Sequence, residues 1–182
     1  NTPLANILGY TELMKERTTD PKAIRDLEKI VDNTIFSREV VKKLMFFACE
    51  MPQQMNSIML IPLVENILKL LGPSLRTKNI NLTKSFGNDN IKLRADTVQL
   101  TQVLFNLIMN AIYFSPTGGR IDIGINEKGK KIQIRISDEG PGIDPKNEDK
   151  IFELFFTTKP LGDGSGLCLS VVHGIISSHK EL

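Results

Sequence analysis

The stretch DTVQLTQVLFNLIMNAIYF, residues 96–114, decides the architecture. Leu100, Val103, Leu104, Leu107, Ile108 and Ala111 recur at helical spacing, which predicts a long helix beginning at Asp96 with one core face. Gln102, Asn106, Asn110 and Tyr113 form a second stripe at i, i+4, i+8 and i+11. Asn is a poor helix former because its side chain competes for backbone hydrogen bonds. Two of them one turn apart, beside an apolar face, have two readings. One is a solvated polar stripe. The other is a pair of amide oxygens, which are neutral hard ligands suited to a Mg²⁺ ion already bound by phosphates.

Strands surround that helix. RIDIGIN (120–126) and KIQIRIS (131–137) alternate apolar and polar residues and are separated by EKGK, which predicts a hairpin. Upstream, NSIMLI (56–61), INLTKSF (80–86) and IKLRA (91–95) read as short strands. PLVENILKLLGPSLRTKN (62–79) reads as a helix started by its proline, and a last helix is expected from about Gly166 to His179. Strands mixed with helices and ending in an antiparallel hairpin predict an α/β sandwich, a mixed sheet with helices on one face.

The first fifty residues differ. Leu4, Ile7, Leu8, Thr11 and Met14 follow helical spacing, and TTDPK ends the first helix near residue 17. Asp20 suits an N-cap and Pro21 the first helical position, so a second helix starts there. Its seam runs through Leu27, Ile30, Val31, Thr34, Val41, Leu44, Met45 and Ala48, with Arg38 as the one break. Two helices cannot bury two full stripes against each other alone. The expectation is a hairpin that dimerises into a four-helix bundle, against the alternative of a hairpin packed on its own domain. The fold class is thus α+β, with a helical hairpin at 1–50 and an α/β sandwich at 51–182.

Composition limits the functions available. Of 182 residues 41% are hydrophobic, enough for one ordinary core and a smaller element. With 23 Lys+Arg against 21 Asp+Glu, the net charge of +2 does not favour nucleic acid or an anionic membrane as partner. The most apolar stretch, IMLIPLVENILKLLG, is broken by Glu65 and Lys69 and cannot span a bilayer. Cys49 and Cys168 lack metal-ligand spacing and read as reduced thiols, so a cytoplasmic location is expected.

Two further clusters carry chemistry. In SDEGPGI (137–143), Asp138 closes a strand, so its carboxylate stands above the sheet where it can accept from an exocyclic amine. Gly140 and Gly142 bracket Pro141 and permit close approach of a flat ring; the alternative is an ordinary Gly-Pro turn. In PLGDGSGLCLS (160–170), Gly162, Gly164 and Gly166 alternate ahead of a helix, a pattern that makes an anion site or a flexible loop. No Gly-Lys-Ser/Thr follows, so it is not a P-loop, and no βαβ unit surrounds it. Before it, KIFELFFTTKP clusters Phe152, Phe155 and Phe156.

Taken in order, these motifs resemble the catalytic core of the sensor histidine kinases of two-component signalling. NLIMNA is similar to the family's N box, DEGPGI to its first glycine box, IFELFFTTK to its F box and GDGSGL to its second glycine box. NTPL at residues 1–4 is similar to the tail of the phosphoacceptor motif His-Glu-Leu-Asn-Thr-Pro-Leu. That likeness places the acceptor histidine three positions before Asn1, reads the first helix as one cut through, and leaves His173 and His179 as structural.

The resemblance implies a Bergerat-type ATP-binding fold that uses ATP and Mg²⁺. It makes Asn110 the principal Mg²⁺ ligand. Asn106 stands where related ATPases carry a water-activating Glu, and an amide cannot act as general base. It assigns Asp138 to the adenine amine, and Gly140, Gly142 and Ile143 to the base pocket. Phe152, Thr158 and Lys159 belong to a lid over the nucleotide. Gly164, Ser165, Gly166 and Leu167 hold phosphate oxygens, and Thr2, one turn after the acceptor, serves regulator dephosphorylation. Tyr113 stands where many relatives have Lys, and Cys168 where a Gly is common; one phosphate contact is then either lost or supplied by Lys159. The implied partners are a second copy through the hairpin, a response-regulator receiver domain and an upstream sensor domain, with no nucleic acid and no membrane contact. The resemblance also implies that the sandwich stops before its last strands. The other readings are an ATPase or clamp of the same fold, and a catalytically weakened scaffold.

Overall fold

The computed structural model describes residues 2–48, 54–88, 90–129, 131–160 and 163–179, with backbone alone at 2, 39–40 and 42–48. Cys49, Gly162, Lys180 and Glu181 lie outside the described residues, as do the side chains of Thr2, Leu44, Met45 and Ala48. The chain divides into two compact units: Asn1–Met51 with Glu153–Leu167, and Pro52–Phe152 with Cys168–Leu182.

In the first unit, α1 (Thr2–Arg17) and α2 (Pro21–Ala48) form a hairpin. The Asp20 carboxylate accepts the Lys22 N–H at 2.9 Å, with Pro21 as first helical residue. This satisfies one of the donors that a helix start leaves open. Thr11, Leu27 and Thr34 are buried between the helices. The two threonines donate their hydroxyls to the carbonyls of Ile7 and Ile30, so burial leaves neither unsatisfied. Lys15 meets Glu28 at 2.7 Å on the exposed side, a pair worth little. The expected seams are only partly buried. Ile7, Met14 and Ile30 stay exposed, together with Tyr10, Leu13 and Ile35. Two helices share one line of contact, and the rest of each stripe faces outward.

The second unit contains β1 (Met55–Met59), α3 (Leu60–Thr77), β2 (Asn81–Phe86), β3 (Lys92–Asp96), α4 (Thr97–Phe114), β4 (Arg120–Lys128), β5 (Lys131–Asp138) and α5 (Cys168–Ser178), with a short 3-10 turn at Pro145–Asn147. The mixed sheet has the order β2-β4-β5, and β1 and β3 make a separate antiparallel pair. β2 runs parallel to β4 (Leu82 opposite Ile121), and β4 antiparallel to β5 (Ile123 opposite Ile136). Ile121, Ile123 and Ile125 alternate onto one face and are fully buried against the core that includes Leu60, Val64, Leu104 and Ile108. Each such side chain contributes on the order of 1.5–3 kcal/mol by leaving water. α3 and α4 pack together over this face, and α5 packs on α4.

Two boundaries and one core position differ from the sequence reading. Leu60 and Ile61, expected in a strand, open α3, where Pro62 sits harmlessly in the first turn. α5 begins at Cys168 rather than Gly166, because Gly166 has φ +67° and cannot continue a right-handed helix backward. On α4, Leu107 is only half-buried and Ile112 is buried instead. Among the described residues, no helix is long and apolar enough to cross a membrane.

Asp96 ends β3 and caps α4. One carboxylate oxygen accepts the N–H groups of Val98 and Gln99 at 2.9 and 3.0 Å, the other that of Gln54 at 2.9 Å. The Gln99 N–H foremost, then those of Gln54 and Val98, hold its pKa below the ordinary 3.8 against an opposing effect of burial. Asp96→Ala is expected to lose about 0.5–2 kcal/mol in urea unfolding at neutral pH. A depressed folded-state pKa gives stability present above 3.8 and lost as pH falls through the folded value. Wild type and variant should therefore converge in acid; a gap that persists there would contradict the capping role.

Candidate functional site

The polar stripe lies on α4. Gln102, Asn106, Asn110 and Tyr113 are all half-buried, beside the core face of Leu104, Ile108 and Ala111. Gln102 Oε1 is buried without a hydrogen-bond partner among the described residues. The far end of the helix is held firmly. The Ser115 hydroxyl donates to Ala111 O at 2.7 Å, and Lys78 Nζ donates to the carbonyls of Ile112, Tyr113 and Ser115.

β5 packs on α4 and ends at Asp138, opposite Ile121. Asp138 Oδ1 accepts the Gly140 N–H at 2.8 Å, and among the described residues Oδ2 has no partner. A Cβ on Gly140 would lie 2.6 Å from Asp138 Oδ1, 3.0 Å from Phe114 O and 3.1 Å from Phe114 Cβ. A side chain there would push the Asp138 carboxylate off its hydrogen bond and crowd Phe114, so the turn favours glycine. Glu139 fixes the same turn from the other side, accepting the Arg120 N–H at 3.0 Å and meeting the Arg120 guanidinium at 3.7 Å. The result is an exposed carboxylate with one oxygen committed to its own turn and the other open to an incoming donor. Gly142 adopts φ +74°, and Ile143 beyond it is exposed. Phe152 packs its ring on His173, with centroids 5.0 Å apart and planes tilted by 36°.

Thr2, Thr158, Lys159, Gly164, Ser165, Gly166 and Leu167 belong to the other unit. Within it the glycine loop folds back on the Phe-rich segment. Lys159 N–H donates to Thr157 Oγ1 at 3.1 Å, and a Cβ on Gly164 would meet Lys159 Cδ at 2.8 Å and that hydroxyl at 3.1 Å. Gly166 is stricter still: a Cβ there would lie 2.3 Å from the carbonyl carbon of Phe155. Phe155 itself takes φ +68°, a strained conformation for an aromatic residue. Leu167 is fully buried.

The two histidines sit on or beside α5. The His179 Nδ1–H donates to Ile175 O at 2.8 Å, which leaves Nε2 as acceptor, 3.5 Å from the Asp96 N–H. His173 is exposed on its ring contact with Phe152. Lys78 and Phe114 are the contributors that motif reading passes over. Both act through backbone contacts, which no side-chain pattern announces.

Residues 95–181 match the family described as "Histidine kinase-, DNA gyrase B-, and HSP90-like ATPase". The chain is 32% identical over 179 residues to the signal transduction histidine-protein kinase AtoS of Escherichia coli (strain K12), covering 98% of this chain and 29% of that protein. It therefore spans under a third of this curated relative's length. Among solved structures, the catalytic domain of histidine kinase ThkA is similar at 31% identity with a TM-score of 0.65, covering 69% of this chain and 82% of that one. The structure of ThkA in complex with response regulator protein TrrA is similar at 25% identity and TM-score 0.70, over 95% of this chain and 51% of that one.

Proposed function

The chain belongs to the histidine kinase family, and from that premise we propose that it is the phosphotransfer core of a two-component sensor kinase, taking the γ-phosphate of ATP to a histidine and then to a regulator aspartate. The observation that carries the reading is the Asp138 carboxylate. It is exposed, held by Gly140 with one oxygen open, and ends the strand that packs on the Asn-bearing helix. An open carboxylate oxygen in that place suits the exocyclic amine of adenine, with Gly140, Gly142 and Ile143 shaping the base pocket.

Asn110 is the proposed Mg²⁺ ligand. Among the described residues, no cluster of three His, Cys, Asp or Glu could hold a metal. A single amide oxygen fits a cation delivered with a triphosphate better than a cage made by protein alone. When bound, Mg²⁺ neutralises phosphate charge. Asn106 binds without activating water, which favours transfer over hydrolysis and speaks against the ATPase reading. Tyr113, Phe152, Thr158 and Lys159 line or cover the nucleotide, and Gly164, Ser165, Gly166 and the Leu167 N–H take phosphate oxygens. Thr2 would act one turn after the acceptor, in regulator dephosphorylation. Among the described residues of the hairpin, the exposed large apolar side chains, which include Ile7, Met14 and Ile30, support pairing with a second copy. The ThkA–TrrA complex supports a response regulator as the receiver of the phosphoryl group.

Asp138→Ala tests the adenine assignment. One charge-assisted hydrogen bond is worth about 1.5–3 kcal/mol, so ATP affinity should fall by about ten- to a hundredfold in titration calorimetry. Affinity for Mg²⁺-tripolyphosphate, which has no base, should not change. Equal losses for both ligands would remove Asp138 from the adenine pocket.

A further inference from the structure

Lys78 lies in the connection between α3 and β2, outside every motif described above. Its ammonium donates to Ile112 O at 2.8 Å, to Ser115 O at 2.6 Å and to Tyr113 O, and stands 5.8 Å from the centroid of the Tyr113 ring. Three carbonyls at a helix C-terminus are the acceptors the helix cannot satisfy itself, at the negative end of its dipole. Between them sits Phe114, whose carbonyl and Cβ form the wall against Gly140. Gly140 in turn supplies the N–H that holds Asp138 Oδ1. A continuous chain of contacts thus runs from Lys78 through the last turn of α4 to the Asp138 carboxylate.

We propose that Lys78 is a positioning residue of the nucleotide site: it fixes the last turn of α4 so that Phe114 stays against the Asp138–Gly140 turn and the open carboxylate oxygen faces the adenine amine. The role rests on the kinase reading and deepens it. The backbone around Lys78 is anchored independently of the ammonium. Lys78 O accepts the Gly118 N–H at 2.9 Å, and the Asn81 N–H reaches Gly119 O at 2.8 Å. Removing the ammonium therefore leaves the connection in place and frees the helix end. Asn110, the proposed Mg²⁺ ligand, and Asn106 lie on α4 ahead of the carbonyls that Lys78 holds.

The test is titration calorimetry on the 182-residue chain, well below its melting temperature, with circular dichroism confirming the fold. In Lys78→Met, ATP affinity should drop about tenfold, the order of one misaligned hydrogen bond, while Mg²⁺-tripolyphosphate affinity holds. Lys78→Arg, which keeps charge and donors, should recover most of the loss. A lysine that only stabilised the fold would weaken both ligands alike, and that result, or an unchanged ATP affinity in the folded variant, would overturn the proposal. Should Lys78→Met not fold, Phe114→Gly with Lys78 in place, which removes the Cβ that faces Gly140, must show the same selective loss, and unchanged ATP affinity there overturns the role equally. A wild-type chain that binds neither ligand would overturn the kinase reading, and the role of Lys78 with it. Wild-type binding with an unaltered variant would overturn the role of Lys78 alone.

Discussion

In the chain extended by His-Glu-Leu before Asn1, Asn110→Ala should lower Mg²⁺-dependent phosphoryl transfer by about 10²–10³-fold, the cost of removing one preorganised electrostatic contact from a reacting centre. The fold should survive. Asn110 is half-buried on the polar stripe of α4, whereas packing is carried by Leu104, Ile108 and Ala111 on the adjoining face. Ala is also the better helix former, by roughly 0.5 kcal/mol, which offsets part of the cost of losing Asn110's own contact, so the variant should still unfold cooperatively. That pairing of lost function with a kept fold separates a ligand from a packing residue. Calorimetry with and without Mg²⁺ should show that the variant has lost the metal's contribution to ATP affinity. Transfer at the wild-type rate would remove Asn110 from the site.

α4 was legible because two signals agree on it: an acidic residue placed to cap it and an apolar period kept for about three turns. The β4–β5 hairpin was legible for a similar reason, strict alternation around a Gly-containing turn, with Gly129 at φ +62°. Leu60 and Ile61 were misplaced because a short apolar run fits a strand or a buried helix equally well until tertiary packing decides. The start of α5 was misplaced because periodicity carries no information on φ, and Gly166 is left-handed against Phe155. Ile7 and Ile30, placed in the helical seams, stay exposed on a single hairpin, which by the sequence reading cannot bury both stripes.

The site divides along the same line. Asp138 and Gly140 were visible in the sequence because a carboxylate and a glycine two residues apart encode their own turn. Lys78 was not, since its partners are carbonyls 34, 35 and 37 residues away, and any residue type offers a carbonyl. The unsatisfied oxygen of Gln102 was likewise invisible, because satisfaction is a property of surroundings rather than of sequence. The assignment of the glycine loop to the unit that holds the hairpin is also tertiary information.

The kinase reading rests most on where the phosphoryl group goes. His173 and His179 lie on or beside α5, one engaged with the Phe152 ring and the other with Ile175 O, and both belong to the unit that carries Asn110. A nucleophile must come within about 3–3.5 Å of the phosphorus, in line with the leaving oxygen. The resemblance gives that role to a histidine of the His-Glu-Leu segment ahead of Asn1. Two chains should therefore be incubated side by side with γ-labelled ATP and Mg²⁺: the 182 residues as they stand, and the same chain carrying His-Glu-Leu before Asn1. The account predicts ATP binding by both, and labelling of the extended chain alone, the label being acid-labile and base-stable as a phosphoimidazole is. Robust labelling of the 182-residue chain at His173 or His179, or an extended chain that binds ATP and stays unlabelled, would contradict it.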